Sequence, residues 1–370
     1  MSKKKITVAV TGLNNIDSPG PGIPVIRGLK ESETLDVRIV GLSYETLEPG
    51  IYMRDLVDKV YQLPLPTAGS AVLKERLRYI ASQEKIDVLI PNFDAELHNF
   101  IKIQDDLKSE LNIATFLPSQ TIFDERQKSE LCKFGKKYDV KVPESHMINQ
   151  VLEIRKLEET MSYPMVIKGR YYDAYIALSY EQASSYFYKV VAKWGYPVIV
   201  QEFVTGTEVN VTALGDGKGS CIGAVAMRKL YITDKGKAWS GISLEDDELL
   251  EISKRVIRNS KWRGGCELEF IKTKNDEYYL LEMNPRFPAW VYLANGCGQN
   301  HPEALVKWLS AKMFNHLPII KAVKCLFVIH TIKSWIYLSF SRFLQWERNN
   351  YRALALLYRQ RMRCLYFTNF

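Results

Sequence analysis

The chain has 370 residues, enough for two or three domains with sizeable cores, and a formal net charge of +8. Its 46% hydrophobic and 25% charged residues are ordinary for a soluble globular protein, and no window reaches the about 18 uncharged apolar residues of a membrane-spanning helix. The six cysteines form no CxxC pair, which argues against a disulfide framework or a structural zinc site and suits a reducing cytoplasm.

Residues 1–120 read as short buried strands that alternate with helices. This alternation predicts an α/β domain with a doubly wound parallel sheet. The first strand–helix turn, GLNNIDSPGPG, is rich in glycine but lacks the GxGxxG pattern, so it predicts a tight loop at the carboxyl edge of the sheet. The predicted strands cover residues 6–12, 37–42 and 86–91, and the predicted helices cover residues 23–31 and 71–83.

A second domain, residues 121–315, follows the FLPS segment. Residues 206–230 alternate in strand fashion around GDGKG, and residues 266–284 do so around KTKND, which predicts two antiparallel hairpins. Asp246 or Asp247 is suited to cap a helix through ELLEISKRVIRNS. The domain is therefore predicted to be α+β with antiparallel sheets. Its other predicted elements are a basic helix through residues 125–139 and strands at residues 164–168 and 197–203.

Residues 316–370 differ from the rest of the chain in composition. They hold nine Lys and Arg residues against Glu347 alone, which accounts for the whole net charge of +8, and they are unusually aromatic. We predict that this basic aromatic C-terminal extension is a separate unit. It could pack on the protein's own body, dock on an acidic protein partner or lie on an anionic membrane surface, whereas nucleic acid is disfavoured because no nucleic-acid-binding motif appears.

An acid, an amide and a cation occupy alternate positions in YYLLEMNPRF, residues 278–287. Glu282, Asn284 and Arg286 therefore share one face if this segment is a strand. Glu267 and Glu269 alternate on the preceding strand and would lie across from this row, and like charges so placed need a neutralising partner. Mg²⁺ is such a partner, and the planar fork of an arginine suits phosphate. An ordinary solvated hairpin face is the alternative, but the combination favours a metal–phosphate site.

The strands upstream offer positions for a nucleotide. Lys168 ends the apolar strand PMVIK, which would deliver an ammonium group to the edge of the site. In QEFVTGTE, Gln201, Glu202 and the Val204 backbone can meet the edge of a base. Glu208, beyond the turn, can accept hydrogen bonds from ribose hydroxyls.

The segments QEFVTGTE, GGCELEF and LLEMNPRF, in this order and separation, resemble the ATP-grasp superfamily. Within it, the similarity is to carboxylate–amine ligases, biotin-carboxylase-like enzymes and the ATP-binding halves of carbamoyl-phosphate synthetase, and it spans about residues 4–315. The resemblance implies a pre-ATP-grasp domain over residues 1–120, a lid subdomain over about 121–200 and a core over about 201–315. It also implies ATP and Mg²⁺ (or Mn²⁺) as cofactors.

The resemblance implies a role for each matching position. Lys128 and Lys168 look like the two cations on the ATP phosphates, and Arg286 is similar to the arginine that holds the transferred phosphate or acyl phosphate. The implied adenine hinge consists of Gln201, Glu202 and Val204, and the implied ribose ligand is Glu208. The implied magnesium ligands are Glu269, Glu282 and Asn284.

One loop of the sequence departs from this pattern, and some further polar residues lie outside it. The loop after Lys168 reads KGRYYDAYIALS, with Gly169 alone, whereas the phosphate-covering loop of the family is usually richer in glycine; the difference bears on lid closure and turnover more than on ATP binding. Arg228 and Lys229, at a strand end in the middle of the domain, are either solvated or hold an anionic substrate near the γ-phosphate. The five histidines have no metal-ligand spacing and are interpreted as structural.

The resemblance thus implies a ligase that phosphorylates a carboxylate with Mg-ATP and couples the acyl phosphate to an amine-type nucleophile, releasing ADP and phosphate. The protein would act mainly by positioning and charge neutralisation. A carbamoyl-phosphate-synthetase-like kinase of bicarbonate or carbamate, and a non-catalytic ATP-binding regulator, are the alternatives. We expect small-molecule or peptide carboxylates and amines as substrates, a cytoplasmic location and a homo-oligomer.

Overall fold

A computed structural model of the chain describes residues 3–16, 18–170, 173–233, 236–314 and 328–330. Contacts between residues divide the chain after Ile329. Apart from Val328–His330, the predicted basic extension lies outside the described residues. Within the ranges given above, no helix combines the length and the apolar character needed to cross a membrane.

A four-stranded parallel sheet with helices on both faces forms the first part of the chain, which confirms the predicted doubly wound fold. In chain order its elements are β1 (Lys4–Val10), β2 (Asn15–Ile16), β3 (Ser18–Pro19), α1 (Gly22–Lys30), β4 (Leu35–Ser43), β5 (Lys59–Gln62), α2 (Gly69–Gln83), β6 (Val88–Ile90) and α3 (Asp94–Leu111). The strand order is β5-β4-β1-β6. Helix α1 packs on one face of this sheet, and α2 and α3 pack on the other, so the central strands are apolar at nearly every position.

The loop after β1 is tight, as the sequence predicts. The amide of Gly20 donates to the carbonyl of Asn14 at 2.8 Å, and the amide of Gly22 donates to the carbonyl of Gly12 at 2.9 Å. A Cβ atom on Gly22 would lie 2.3 Å from the carbonyl oxygen of Thr11, so only glycine fits there. These two amides are therefore already satisfied within the loop.

The predicted helix over residues 125–139 is wrong, because the chain breaks near its start. Helix α4 (Gln120–Glu125) is followed by a 3-10 turn at Lys128–Glu130 and then by α5 (Leu131–Tyr138). Between them Gln127 has an extended backbone, with φ −58° and ψ 147°, which no α-helix can contain. The break leaves Lys128 outside either helix, and its side chain reaches a carboxylate of the core sheet.

A second, antiparallel sheet has the strand order β7-β10-β8-β9 and is called the lid sheet below. The aromatic helix α7 packs on one face of it. The elements of this part are β7 (Ser145–Ile148), α6 (Glu153–Leu157), β8 (Met165–Lys168), β9 (Ala174–Ala177), α7 (Tyr180–Trp194) and β10 (Val198–Glu202).

The third sheet, called the core sheet below, contains both predicted hairpins, which are confirmed by the pairing of its strands. Its order is β15-β14-β11-β12-β13-β16. The predicted cap is also confirmed, since Asp246 accepts a hydrogen bond from the Leu249 amide at 3.0 Å. Helices α5 and α8 cover one face of the sheet. The elements are β11 (Thr207–Asp216), β12 (Cys221–Ile232), β13 (Ala238–Leu244), α8 (Asp247–Ser260), β14 (Arg263–Lys272), β15 (Tyr278–Asn284), α9 (Tyr292–Gly296), α10 (His301–Phe314) and β16 (Val328–His330).

Candidate active site

The face of the core sheet opposite α5 and α8 carries the predicted metal ligands. In the register of β14 and β15, Glu269 lies opposite Glu282, and Glu267 lies opposite Asn284. The cross-strand arrangement of acids that the alternating sequence predicts is therefore confirmed. The side chains of Glu269 and Glu282 keep 27% and 31% of their surface exposed, so a ligand can reach this pair. The space around these two carboxylates is called the cleft below.

Two lysines from outside the core sheet reach this cleft. Lys128 Nζ lies 2.8 Å from a carboxylate oxygen of Glu282. Burial alone would raise the pKa of Glu282, but Lys128 and Lys168 outweigh burial and lower it. Lys168 Nζ donates to Gln201 Oε1 at 2.6 Å, and burial followed by the charge of Lys128 lowers the pKa of Lys168 to about 8. The two predicted phosphate-binding cations thus converge on one of the predicted metal ligands.

Lys229 lies between the predicted ribose acceptor and the second metal ligand. Its Nζ atom is 2.9 Å from Glu208 and 3.4 Å from Glu269. These two carboxylates outweigh burial and raise the pKa of Lys229. Arg228, the other cation of this predicted pair, lies opposite Val209 in the sheet register, and the Val209 side chain packs under α5 and α8. Its exposed side chain therefore belongs to the other face of the sheet, and the structure does not bring it into the cleft.

Arg286 reaches from the end of β15 to the first domain. Its Nε and Nη2 atoms donate to the same Asp94 oxygen, at 2.9 and 2.8 Å, and Nη1 donates to the Phe287 carbonyl at 3.3 Å. Although burial opposes the charge, Asp94 and then Glu267 raise the pKa of Arg286. The sequence gives no sign of the Asp94 contact, because 192 positions separate the two residues.

A buried carboxylate fixes the start of α3 and hence the position of Asp94. Glu96 accepts hydrogen bonds from the hydroxyls of Thr11 and Tyr44 and, at 3.0 Å, from the amides of Asn92 and Phe93. Burial raises the pKa of Glu96 to about 7, and these donors partly offset that rise. Strands β1, β4 and β6 all end at this group, so the carboxyl edge of the first sheet aims the first turn of α3 at the cleft.

The predicted nucleotide residues fall where the chain passes from the lid sheet to the core sheet. Gln201 is buried near the end of β10, while Glu202 is exposed and its amide donates to the Glu144 carbonyl at 2.8 Å. Val204 is half-buried in the connection, and Glu208 lies at the start of β11. A ligand that contacts all four residues would bridge the two sheets.

The donor atoms of the cleft suit a hard divalent cation. Glu269 and Glu282 offer carboxylate oxygens and Asn284 offers a carboxamide oxygen, which are the ligand types that Mg²⁺ accepts together with phosphate oxygens. No group of three His, Cys, Asp or Glu side chains that could hold a metal by itself is found in the described ranges. The residues therefore fit a metal that a phosphate ligand helps to hold, not an all-protein cage.

Comparison with known sequences gives two findings. A family model described as ATP-grasp in the biosynthetic pathway with Ter operon matches residues 196–325. The N-terminal section of the carbamoyl phosphate synthase large chain of Methanopyrus kandleri is 23% identical over 259 residues, which cover 64% of this chain and 45% of that protein. The chain therefore spans less than half the length of this relative.

Solved structures share the fold. The biotin carboxylase domain of 2-oxoglutarate carboxylase from Hydrogenobacter thermophilus, a dimer in complex with MgADP and bicarbonate, superposes with a TM-score of 0.67 at 14% identity over 87% of this chain and 73% of that one. N5-carboxyaminoimidazole synthetase from Staphylococcus aureus gives a TM-score of 0.65 at 15% identity over 88% of this chain and 82% of that one. These likenesses show that the chain shares the fold of these enzymes, and the ATP-grasp family model matches the part of the chain that contains most of the core sheet.

Proposed function

We propose that the protein is an ADP-forming ligase that binds Mg-ATP between its lid sheet and core sheet, phosphorylates a carboxylate and couples the acyl phosphate to an amine-type nucleophile. The observation that carries this proposal is the opposed pair Glu269–Glu282, surrounded by cationic side chains from separate elements. Those cations are Lys128, Lys168, Lys229 and Arg286.

In this proposal the adenine lies against the connection between the sheets, where Gln201, Glu202 and the Val204 backbone contact its edge. Glu208 accepts from the ribose hydroxyls. The position of these residues at the junction supports the assignment, because a nucleotide there extends from the lid sheet toward the carboxylates of the core sheet. Lys168 stands beside Gln201, close enough to follow the phosphates that leave the ribose.

Glu269, Glu282 and the Oδ1 atom of Asn284 would hold the metal. When bound, Mg²⁺ neutralises charge on the phosphates and orients them for in-line transfer. Lys128 would exchange its contact with Glu282 for a phosphate oxygen. The chain contributes mainly orientation and charge neutralisation, as phosphoryl transfer requires.

The proposed reaction has two displacements. A substrate carboxylate oxygen attacks the γ-phosphorus, the bond from the γ-phosphorus to the β–γ bridging oxygen breaks, and ADP leaves. The amine nitrogen then attacks the acyl carbon and expels phosphate with loss of a proton. Arg286 is oriented by Asp94, and its Nη1 atom lies 3.9 Å from Glu267, so its planar guanidinium is suited to hold the transferred phosphoryl group during both steps. Lys229 would stabilise charge on the same group.

A second candidate is a carbamoyl-phosphate-synthetase-like kinase that acts on bicarbonate or carbamate. The carbamoyl phosphate synthase relative favours it, as does the solved carboxylase that contains bicarbonate. Both candidates use the same phosphoryl transfer, and they differ only in which carboxylate receives the phosphate and which nucleophile follows.

The proposal is tested by ADP formation from Mg-ATP with a panel of amino acids, peptides, other carboxylates and bicarbonate, each with and without an amine. We expect a carboxylate–amine pair to stimulate ADP release, and Glu282→Gln to lower that rate roughly a hundredfold or more, because one charge of the metal pair is lost. Stimulation by bicarbonate alone would favour the second candidate. Equal Mg²⁺-dependent ADP formation by Glu282→Gln and the wild type would contradict the metal assignment.

Nucleotide binding is measured separately from turnover. ATP with Mg²⁺ should raise the melting temperature, because a ligand that binds only the native state adds stability by mass action. Glu208→Ala should reduce this shift, and GTP should produce a smaller one. Strong Mg-ATP binding without ADP formation under any condition would leave the third alternative, an ATP-binding regulator.

The proposal also covers the domain boundaries, the cellular location and the oligomeric state of the protein. We propose a pre-ATP-grasp domain over residues 1–120, an ATP-grasp domain over residues 121–315 and a separate extension over residues 316–370. Use of Mg-ATP fits a cytoplasmic location, and the dimeric carboxylase domain supports a homo-oligomer. Size-exclusion chromatography with light scattering tests the oligomer directly.

A further inference from the structure

Glu267 is a buried carboxylate beside the cleft that has no role in the proposed reaction. It is 6% exposed and lies directly opposite Asn284 in the sheet register. Its Oε1 atom accepts from Trp290 Nε1 at 2.6 Å and from Asn210 Nδ2 at 3.0 Å, while Oε2 accepts from Asn284 Nδ2 at 3.2 Å. Arg286 Nη1 lies 3.9 Å from the same Oε2 atom, so three neutral donors and one cation hold this buried carboxylate in one orientation.

These contacts decide which way the Asn284 carboxamide faces. Nδ2 of Asn284 donates to Glu267 at 3.2 Å and to Glu269 at 3.0 Å, so both of its hydrogens have carboxylate acceptors. Carboxylates cannot donate, and an amide turned by 180° would set its oxygen against two negative charges. The Oδ1 atom of Asn284 is therefore the one left for a ligand.

We propose that Glu267 is a positioning residue that fixes the Asn284 carboxamide with Oδ1 available to the metal. The inference rests on the proposed function, because Asn284 matters in this way only if the cleft holds a divalent cation. Glu267 acts without touching the metal, through a hydrogen bond that orients a ligand, and such contacts are commonly worth about 10–100-fold in metal affinity. Trp290 and Asn210 in turn fix Glu267.

The test is Mn²⁺ binding to the ADP complex, measured by electron paramagnetic resonance, together with ADP affinity in EDTA. In Glu267→Gln the amide oxygen can still accept from Trp290 and Asn210, but its NH₂ group then meets the NH₂ of Asn284. Asn284 must turn, which presents Nδ2 to the metal. We expect Mn²⁺ affinity to fall by about 10–100-fold, with metal-free ADP affinity unchanged.

A second substitution should restore Mn²⁺ affinity if Glu267 orients Asn284, and it should not do so if Glu267 only stabilises the fold. In the double variant Glu267→Gln/Asn284→Asp, one oxygen of the new carboxylate at position 284 can accept from the new amide at position 267. The other oxygen remains for the metal, so Mn²⁺ affinity should recover. Asn284→Asp alone places a carboxylate against Glu267 and should bind Mn²⁺ more weakly than the double variant. Asp216→Asn is the matched control, since Asp216 is also a 6% exposed carboxylate of the core sheet but holds only the turn after β11.

The outcomes distinguish a failure of the proposed metal site from a failure of the positioning role of Glu267. Failure of the wild type to bind Mn²⁺ with ADP would overturn the metal assignment and this inference with it. Binding by the wild type, with equal affinity in Glu267→Gln or no recovery in the double variant, would overturn the inference alone. If Glu267→Gln does not fold, nuclear magnetic resonance of the wild type decides. An Asn284 side-chain NH₂ signal that stays slow to exchange with Mg-ADP supports the inference, and its loss contradicts it.

Discussion

Lys168 is a cation of the cleft whose pKa is lowered, so it loses its proton more easily than an ordinary lysine. It ends a buried strand, its nearest polar partner is the neutral Gln201, and another cation lies close by. Burial and Lys128 together bring its pKa to about 8, so that it is about half protonated at that pH. A phosphate beside Lys168 favours the charged form and must raise this pKa again.

The first prediction concerns the pH dependence of nucleotide affinity. Because the bound state holds one more proton than the free state, Mg-ADP affinity should be level below roughly pH 7.5 and then fall by as much as about tenfold per pH unit above pH 8. Isothermal titration calorimetry in buffers of different ionisation enthalpy should show proton uptake at pH 8.5. Lys168→Arg keeps its charge throughout this range and should abolish the uptake. Undiminished uptake in Lys168→Arg would assign the proton to another group.

The alternation of side chains along a strand explains why only one of the two candidate cations on β12 reaches the cleft. Arg228 and Lys229 are neighbours, so one of them must face the cleft and the other must face away. The choice depends on pairing with β11, where Val209 lies opposite Arg228, and that register cannot be derived from the β12 segment alone. Glu282, Asn284 and Arg286 alternate within one segment of the chain, so their shared face could be predicted without knowing which strand pairs with it.

At the scale of elements, local patterns predicted both hairpins and helices α1, α2 and α8, but they failed where a break in the chain positions a residue of the site. Residues 125–139 look helical because apolar and basic residues recur at helical spacing. The structure instead inserts an extended Gln127 and a 3-10 turn, which give Lys128 its contact with Glu282 at 2.8 Å. Tertiary contact of this kind overrides helix propensity, which is weak for any single residue.

The connection between the lid and core sheets depends on one close approach. A Cβ atom on Gly206 would lie 2.3 Å from the carbonyl oxygen of Lys272 and 2.5 Å from Cγ2 of Ile271. Both atoms belong to β14, the neighbour of β11. Gly206 thus allows the start of β11, which carries Glu208, to lie flat against β14.

We predict that Gly206→Ala lowers both stability and nucleotide affinity. The added methyl group must push β11 away from β14, which should cost about 1–3 kcal/mol in the free energy of unfolding and displace Glu208. Urea unfolding and Mg-ADP titration measure the two effects. Thr205→Ala, an exposed neighbour with no such contact, is the control and should change neither quantity. Wild-type affinity in Gly206→Ala would show that the nucleotide does not depend on the position of this strand end.

At the scale of the whole molecule, α3 joins the first domain to the cleft. The hydroxyls and amides around Glu96 fix its first turn, and Asp94 in that turn holds two nitrogen atoms of Arg286. The sequence predicts both domains and the role of Arg286, but it cannot show that a residue at position 94 orients one at position 286. Contacts between domains depend on three-dimensional docking and leave no periodic signal.

We predict that Asp94→Asn slows turnover without weakening Mg-ADP binding. Loss of the carboxylate leaves Arg286 poorly oriented toward the transferred phosphoryl group, so kcat for ADP formation should fall by roughly tenfold or more. Mg-ADP lacks that group, and its dissociation constant should stay within about twofold. Glu110→Gln removes an arginine-paired carboxylate from the far end of the same helix and should leave both values unchanged. Weaker Mg-ADP binding in Asp94→Asn would indicate a general displacement of α3 instead.

The ion pairs of the cleft have a consequence for how a ligand enters it. Lys128 is engaged with Glu282, Lys229 with Glu208 and Glu269, and Arg286 with Asp94. In the proposed function, binding of a metal–triphosphate complex would be an exchange of counterions, in which the metal replaces lysine on Glu269 and Glu282 while the phosphates receive the lysines. A bare metal would leave the lysines without a counter-charge, and a bare triphosphate would leave the glutamates without one. We therefore expect the site to favour the preassembled complex over either component.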